Sequence, residues 1–262
     1  MKKAELDLSI IIPTYKEEGR IGKTLEELAG YIKAHKYKTE VLVVDAGSPD
    51  KTREVAETKA KLFTNFRFVD AGPKPPRRAI KGKQVRAGVF EASGRYIMFM
   101  DADLATPLKY LQQVYGAIDA DQPVAICVRN LHESHKGLRK LISGFGNFLV
   151  QMLLLPGIKD TQCGFKAFRS DAAQEIFGRQ TILGWGFDME VLAVARKLGY
   201  DIELIDVPDW KDVTKGSKIS GSPAVQAAVQ TFGDLLNIKW GMITGRYRQP
   251  RFHYHAKTKS QN

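Results

Sequence analysis

The chain has 262 residues, of which 44% are hydrophobic, so it is long enough for one large domain with a substantial core, and disorder is not its default state. Its 40 Lys and Arg outnumber 29 Asp and Glu, and the net charge of +11 favours an anionic partner: a nucleic acid, an anionic membrane surface or a phosphorylated substrate. Two cysteines without metal-ligand spacing favour a reducing compartment, and no apolar run approaches the ~18 residues of a spanning helix, so we expect a soluble or peripheral protein on the cytoplasmic side.

The first half of the chain alternates short apolar runs with longer segments of helical period. Between the first two runs, Ile21, Leu25 and Leu28 recur at helical spacing, and Ile32 continues the same face. Strands that are almost wholly apolar and separated by helices predict a mostly parallel sheet with helices on both faces. The predicted strands are 8–13, 40–45, 66–70, 95–101 and 124–128.

The second half is less regular in its order of elements. Its apolar spacing and its breaker residues predict helices over 138–155, 187–199 and 222–244, a strand over 202–207 and a loop over 209–221. Ser222 and Pro223 are typical of a helix start. From Arg246 the chain is basic and aromatic, and we expect it to be poorly ordered.

Two aspartates, Asp101 and Asp103, stand one residue apart in "MFMDADLATP", where the fourth predicted strand ends. Mg²⁺ and Mn²⁺ prefer oxygen ligands and commonly take one or two carboxylates from a protein, while substrate phosphates complete the shell. The pair therefore predicts a metal site that neutralises a diphosphate leaving group. A chance D-x-D is the alternative, and Asp45 at another predicted strand end favours the site. The dinucleotide-binding and P-loop glycine patterns do not occur, which argues against those two enzyme classes.

Seven segments occur in a fixed order along the chain: "SIIIPTYKEEGRI", "EVLVVDAGSPDKT", "KGKQVRAG", "GRYIMFMDADLATP", "DTQCGFKAF", "GWGFDMEVL" and "KGSKI". Over most of its length the sequence resembles glycosyltransferase family 2, and more narrowly the dolichyl-phosphate β-glucosyltransferase and polyprenyl-phosphate glycosyltransferase branch. The resemblance implies a GT-A fold, which is Rossmann-like with a mostly parallel sheet. We expect a catalytic domain over 1–221, followed over 222–262 by an amphipathic helix and a basic tail that contact a membrane surface. The alternative for this helix is packing on the protein's own core.

In this family the ends of the first strands hold the nucleoside. The resemblance therefore implies nucleotide contacts by Pro13, Thr14, Tyr15, Glu17, Asp45, Lys81, Asp101, Ala102 and Asp103. Of these, Glu17 would accept a hydrogen bond from a ribose hydroxyl, Asp45 would contact the base, and Asp101 with Asp103 would bind the metal. Ala46 replaces the family's second aspartate, which leaves the choice between UDP and GDP open.

The resemblance also implies residues around the transferred sugar and the acceptor. Catalytic roles would fall to Asp103, Arg129, Arg139, Asp188 and Lys218, and acceptor or phosphate contacts to Asp160, Gln162, Lys166, Lys215 and Ser217. Arginine suits phosphate because its planar fork binds two oxygens at once. A solvated surface charge is the alternative for Arg139. Asp188 is preferred over Glu190, because residues two apart on a helix do not share a face.

The acceptor type decides the chemistry that we expect. A polyprenyl phosphate is largely dianionic near neutral pH, so it attacks without a general base. We expect inverting transfer of a hexose from a nucleoside diphosphate sugar, UDP-glucose first, to a polyprenyl or dolichyl phosphate, with Mg²⁺ or Mn²⁺. The alternatives are a GDP-mannose donor, a non-lipid acceptor and, from another class, a basic nucleic-acid-binding protein. The last leaves the acidic strand ends unexplained, so no nucleic acid is expected.

Overall fold

The structure is a computed structural model that describes residues 6–73, 80–129, 138–210 and 222–252, with the side chains of 138–145 and 222–228 left out. Its strands are β1 Leu8–Thr14, β2 Thr39–Asp45, β3 Phe66–Asp70, β4 Tyr96–Met100, β5 Val124–Arg129, β6 Phe165–Arg169 and β7 Ile202–Val207. Its helices are α1 Ile21–His35, α2 Thr52–Lys59, α3 Lys81–Glu91, α4 Tyr110–Asp119, α5 Leu138–Leu153, α6 Ser170–Gly178, α7 Phe187–Lys197 and α8 Ser222–Thr244. The predicted strands and helices are therefore present, with ends that differ by a few residues.

One seven-stranded sheet forms the centre of the described structure, in the order β3-β2-β1-β4-β6-β5-β7. β1 pairs in parallel with β2 on one side and with β4 on the other, so the strand order reverses next to β1. Parallel sheets of this kind bind ligands in the crevice at that reversal, beyond the carboxyl ends of the strands. The sheet is GT-A-like, as expected.

β6 is a strand that the sequence analysis did not predict. It runs antiparallel to both β4 and β5, and Met98 faces Ala167 across the first of these pairs. The second residue of the strand is charged: Lys166 is fully buried between Phe165 and Ala167. A lysine in this place hides the strand pattern, since burial of an ammonium group requires a partner that only the folded chain supplies.

Helices cover both faces of the sheet, and each face has its own apolar core. One core is formed with α1 and α4, where Ile21, Leu25 and Leu28 are fully buried as the helical spacing predicts. The other core lies under α3, α6, α7 and α8. Burial on both sides explains why the central strands read as continuous apolar runs.

The C-terminal helix α8 has apolar residues on two of its faces. Leu235 and Ile238 are 2% and 0% exposed and belong to the same core as the sheet. The outer face carries exposed apolar side chains at spacings of three and four: Val229, Phe232, Leu236, Trp240 and Ile243. Core packing and surface exposure therefore occur on the same helix. The division into a catalytic domain over 1–221 and a membrane-contacting segment over 222–262 stays a prediction. No helix among the described residues is long and apolar enough to cross a membrane.

The segment after α8 folds back onto the domain. Tyr247 is 1% exposed, and its backbone carbonyl accepts a hydrogen bond from Arg179 Nε at 3.0 Å. The N–H groups of Arg251 and Phe252 both donate to the carbonyl of Gly178. The expectation of poor order from Arg246 onward is therefore wrong for residues 246–252, because apolar burial and backbone hydrogen bonds hold them.

Candidate active site

The buried end of β2 braces the side of the crevice predicted to hold the nucleoside. Asp45 is 4% exposed, and its carboxylate accepts hydrogen bonds from Thr14 Oγ1 at 3.0 Å and from Ser48 N and Oγ at 2.7 and 2.6 Å. Gln84 Nε2 donates to the carbonyls of Thr14 and Val44 at 2.6 and 2.9 Å. These bonds fix the ends of β1 and β2 to each other and to α3. A base contact by Asp45 stays a prediction.

Gln84 of α3 has a structural role that the sequence analysis did not predict. In the fold its amide satisfies two strand-end carbonyls that are otherwise buried. The position is therefore a brace for the crevice, and only the three-dimensional neighbourhood reveals it.

Glu17 lies at the opening of the crevice, after the end of β1. Arg20 holds its carboxylate with two bonds, Nε to Oε2 at 2.7 Å and Nη2 to Oε1 at 2.9 Å. Burial raises the pKa of Glu17, and the nearby charges of Asp103 and Asp101 raise it further, while Arg20 acts in the opposite direction. The structure therefore brings Glu17 into the electrostatic neighbourhood of the acidic pair.

Asp101 follows β4 directly and is held by close packing. Its carboxylate forms an ion pair with Lys81 Nζ at 2.5 Å, and its backbone N–H donates to the carbonyl of Gly164 at 3.0 Å. A Cβ atom on Gly164 would lie 1.9 Å from Asp101 Oδ2, so only glycine leaves the carboxylate its place. Gly164 lies within the segment "DTQCGFKAF". A glycine at this position was the one sequence feature that could have indicated the close approach to Asp101.

Asp103 occupies the loop after Asp101 and is more enclosed. Its Oδ1 accepts a hydrogen bond from the N–H of Ala105 at 3.0 Å. Burial raises the pKa of Asp103, and the charge of Asp101 adds to this shift, whereas Ala105 opposes it. Thr24 Oγ1 donates to the carbonyl of Ala102 at 2.7 Å, which ties the loop to α1. The two aspartates thus form a fixed acidic site in which the charge of Asp101 disfavours the charged form of Asp103.

Behind Asp101, the site continues into the protein through three buried charged side chains: Lys81, Asp188 and Lys166. Asp188, at the start of α7, is 2% exposed and is bonded to Lys166 on β6. Burial raises the pKa of Asp188, and Lys166 and Lys81 both counteract it. Burial opposes the charge of Lys81, but Asp101 and Asp188 outweigh it and raise its pKa. The series Asp101, Lys81, Asp188 and Lys166 therefore alternates in sign, which stabilises charges that would be costly to bury singly.

Arg129 ends β5 on the opposite side of the acidic pair. Its Nε and Nη2 bond both oxygens of Asp160 at 2.6 and 2.9 Å, and its guanidinium lies 5.0 Å from the ring centroid of Trp210. Burial favours the neutral form of Asp160, yet the bonds and charge of Arg129 outweigh it and lower the pKa. Gln162 N–H also donates to Asp160 Oδ1 at 3.1 Å. Asp160 thus positions Arg129, whereas sequence reasoning gave it an acceptor contact, which stays a prediction.

A cavity of about 110 Å³ connects these two groups of residues. It is lined by Asp101, Asp103, Thr106, Arg129, Gly164 and Trp210, among others. It therefore lies on the β6–β5–β7 side of the acidic pair, away from the strand ends that are predicted to hold the nucleoside. Trp210 was not among the predicted site residues, and it follows β7 at the edge of the described chain.

Several predicted site residues lie outside what the structure describes. Lys215, Ser217 and Lys218 fall in the segment 211–221, and Arg139 belongs to α5 at a position whose side chain is not described. Pro13, Thr14, Tyr15 and Ala102 are described and lie at the ends of β1 and β4, as predicted. The structure thus brings together the residues predicted to contact the nucleotide and those predicted to bind the metal. The phosphate contacts predicted for the loop 209–221 stay a prediction.

Glu190, which the sequence analysis ranked behind Asp188, has a structural role, and a catalytic role for Asp188 stays a prediction. Glu190 is fully buried, and its carboxylate accepts hydrogen bonds from Thr181, from Ile182 N at 2.7 Å and from Tyr247 Oη at 2.9 Å. These contacts hold the segment that leads into α7. Trp185, in that same segment, is 52% exposed, and Lys81 Nζ lies 5.7 Å from its ring centroid.

The acidic pair suits a divalent cation that shares its ligands with a substrate. Among the described residues no group of three or more His, Cys, Asp or Glu side chains is arranged to hold a metal ion by itself. Asp101 and Asp103 supply hard oxygen ligands, and a bound cation would oppose the upward shift that burial and the charge of Asp101 cause in the pKa of Asp103. The residues therefore fit Mg²⁺ or Mn²⁺ when diphosphate oxygens complete the shell.

Comparison with known proteins agrees with this geometry. Residues 9–177 match the family model described as Glycosyl transferase family 2. A dolichyl-phosphate beta-glucosyltransferase of Trichomonas vaginalis is 33% identical over 251 residues, which cover 90% of this chain and 74% of that protein. The human dolichyl-phosphate beta-glucosyltransferase is 31% identical over 265 residues, covering 92% of this chain and 77% of that protein.

Two solved structures show the same fold at lower identity. Glucosyl-3-phosphoglycerate synthase of Mycobacterium tuberculosis, in complex with Mn²⁺, UDP and glucosyl-3-phosphoglycerate, has a TM-score of 0.65 at 20% identity, covering 91% of this chain and 81% of that chain. Mannosyl-3-phosphoglycerate synthase of Rubrobacter xylanophilus has a TM-score of 0.68 at 16% identity, covering 93% and 76%. At these identities the likeness concerns the fold.

Proposed function

The chain belongs to glycosyltransferase family 2, and from that membership we propose that it transfers glucose from UDP-glucose to a dolichyl or other polyprenyl phosphate, with inversion at the anomeric carbon. The observation that carries the proposal is the placement of Asp101 and Asp103 at the reversal of strand order, beside the braced ends of β1 and β2. The names of relatives about 30% identical over most of the chain support the glucosyl donor and the lipid acceptor.

The acidic pair and Lys81 would hold the donor's diphosphate. Asp101 and Asp103 would bind Mg²⁺ or Mn²⁺, which supplies positive charge to the leaving nucleotide diphosphate when bound. The Mn²⁺ in complexes of a structurally similar enzyme supports a divalent ion. Lys81, paired with Asp101 at 2.5 Å, is placed to release that carboxylate to a cation and turn its ammonium toward a phosphate oxygen.

The burial of Asp188 supports a phosphate acceptor over a hydroxyl acceptor. A hydroxyl requires a general base within hydrogen-bond reach, whereas a lipid phosphate is already largely dianionic. Asp188 is 2% exposed and bonded to Lys166, so it is poorly placed to take a proton from a substrate. Direct attack of a phosphate oxygen on the anomeric carbon forms the new bond as the bond to the diphosphate breaks. A single displacement of this kind inverts the configuration.

The outer face of α8 is the proposed contact with a membrane surface. Its five apolar side chains are 47% to 67% exposed, and Phe148 and Met152 of the neighbouring α5 are 57% and 59% exposed. Lys239 on α8 and Arg248 after it are exposed cations beside this face. Apolar residues with a basic flank are typical of helices that lie in a membrane interface. Peripheral binding at the cytoplasmic side fits the free, buried thiols of Cys127 and Cys163.

The donor and the metal are tested by activity measurements on matched variants. Asp103→Asn and Asp101→Asn should lower Mn²⁺-dependent release of UDP from UDP-glucose with a polyprenyl phosphate by at least about 10²-fold. Asp121→Asn is the control, because the Asp121 side chain is 89% exposed and contacts only the surface Arg169 in the described structure. Wild-type activity in Asp103→Asn, faster turnover of GDP-mannose, or transfer to a hydroxyl acceptor in place of a phosphate would each overturn part of the proposal.

The membrane contact is tested by vesicle sedimentation. Replacing Trp240 and Ile243 by serine should weaken binding to anionic lipid vesicles, because it removes apolar surface that would contact the lipid. Both side chains are at least 60% exposed, so the replacement should leave the core unchanged. Leu62→Ser, at an exposed position on the α2 side of the domain, is the control. Equal vesicle binding by the double variant and the control would show that this face does not meet the membrane.

A further inference from the structure

Trp185 is a large apolar side chain that stays half exposed beside the candidate site. Its 52% exposure contrasts with Phe187, two residues later, which is fully buried. Leu183, two residues earlier, is also 38% exposed. The segment that contains them joins α6 to α7 and therefore leads directly into Asp188. Isolated exposed apolar residues are common on protein surfaces. An exposed apolar side chain that borders a binding site is a candidate for ligand contact.

The segment around Trp185 is held firmly from several sides. The Asp234 carboxylate of α8 accepts a hydrogen bond from the N–H of Gly186, and a Cβ on Gly186 would lie 2.3 Å from Asp234 Oδ2. The N–H of Lys83 donates to the carbonyl of Leu183 at 3.3 Å, and the N–H of Phe187 donates to that of Gly184 at 3.2 Å. The exposure of the indole is therefore built into the fold, because the backbone on both sides is fixed.

The indole lies next to the place where donor and acceptor phosphates would meet. Lys81 Nζ is 5.7 Å from the ring centroid and 2.5 Å from Asp101 Oδ1. The ring thus contacts the one described cation that pairs directly with the acidic pair. An acceptor phosphate that approaches a donor diphosphate held at Lys81 would bring the first apolar units of its chain within reach of the indole.

We propose that Trp185 is a binding surface for the apolar chain of the acceptor, contacting the isoprenoid units nearest the acceptor phosphate while that phosphate lies beside the donor diphosphate held at Lys81. The inference rests on the proposed function, whose acceptor it describes in more detail. An isoprenoid chain suits the site because Trp185 and Leu183 expose apolar surface. The indole also has a large rigid face that gains by being covered. A sugar ring of the donor is the competing occupant, and the test separates the two.

Steady-state kinetics with two acceptors test the contact. The first acceptor is a polyprenyl phosphate of several isoprene units, and the second is ethyl phosphate, which has the phosphate without the chain. For Trp185→Ala we expect the KM for the polyprenyl phosphate to rise by about tenfold or more, with the KM for UDP-glucose within about twofold of wild type. Trp185→Phe should recover most of the loss. With ethyl phosphate the alanine variant should match the wild type.

Controls and outcomes make the result decisive. Leu62→Ala, which removes an apolar side chain 44% exposed on the other side of the sheet, should leave both KM values unchanged. An unchanged polyprenyl phosphate KM in Trp185→Ala overturns the inference, and so does a rise confined to the UDP-glucose KM, which would assign the indole to the sugar. If the wild type transfers nothing to any lipid phosphate while it still hydrolyses UDP-glucose, the proposed function itself fails.

Fluorescence gives a second readout that does not depend on turnover. The chain has three tryptophans, so Trp210→Phe with Trp240→Phe leaves Trp185 as the only indole. A soluble short-chain isoprenoid phosphate should shift the emission of this variant to the blue, whereas ethyl phosphate should not. If the isoprenoid phosphate does not change the emission, the proposed contact is contradicted.

Discussion

Gly164→Ala should disable the candidate metal site while leaving the fold nearly intact. The added Cβ would lie 1.9 Å from Asp101 Oδ2 and 2.3 Å from Asp101 Cγ. Carbon atoms in contact prefer about 3.5 Å or more, so the carboxylate has to move by at least about 1 Å. The φ angle of Gly164 is not in the left-handed region, so alanine fits the backbone and the contact with Asp101 is the whole effect.

The expected loss follows from this displacement. A misplacement of about 1 Å in a catalytic arrangement costs on the order of 10²-fold in rate, equivalent to about 2.7 kcal/mol in the activation free energy. The assay is kcat/KM for Mn²⁺-dependent release of UDP from UDP-glucose, with the midpoint of thermal unfolding measured in parallel. We expect the thermal midpoint to fall by only a few degrees, because the Asp101 side chain is 40% exposed and can be displaced toward solvent.

Gly116→Ala is the matched control for that variant. Gly116 lies in α4, and a Cβ built there meets nothing within 4 Å. Alanine in a helix is favoured over glycine by about 0.5–1 kcal/mol, so the control should be slightly more stable and fully active. If Gly164→Ala kept kcat/KM within about threefold of the wild type, the carboxylate would not need its present place, and the reasoning would be refuted.

Three further predictions concern buried polar groups. Lys166→Met leaves Asp188 buried without its partner and should lower the free energy of unfolding, measured in urea, by about 3–5 kcal/mol. Adding Asp188→Leu should recover part of this loss. Equal stability of the single and double variants would count against the pair. Tyr247→Phe removes the bond to Glu190 and should cost about 1 kcal/mol, seen as a drop of about 2–4 °C in Tm, whereas no drop would contradict it. Burial raises the pKa of Cys163 to about 11, so its thiol should resist iodoacetamide at pH 8 until urea is added. Because the unfolded thiol deprotonates first, stability should fall as pH rises from about 9 to 11, and rapid labelling of the folded protein would contradict the assignment.

The local pattern of the chain determined most of the elements and the position of the acidic pair. Apolar runs with turn residues between them predicted β1, β2, β4 and β5, whose residues are almost all buried, and they also predicted β3, an edge strand that is only partly buried. Helical spacing predicted α1 and the whole of α8. Asp101 and Asp103 could be read as a metal site because strand ends in a parallel sheet meet at one edge.

Only the tertiary structure decided which of these residues act on one another. β6 was hidden by Lys166, whose charge is tolerated because Asp188, 22 residues later, lies against it. The exposed and buried apolar faces of α8 have the same residue types, so the sequence by itself left core packing and membrane contact open.

The sequence, then, determined the local structure and the kinds of residue at the site. The pairing of Lys81 with Asp101, the space that Gly164 leaves and the fixed indole of Trp185 depend on segments far apart in the chain. Such contacts follow from packing and from the need of each buried charge for a partner, and neither is visible in a local pattern.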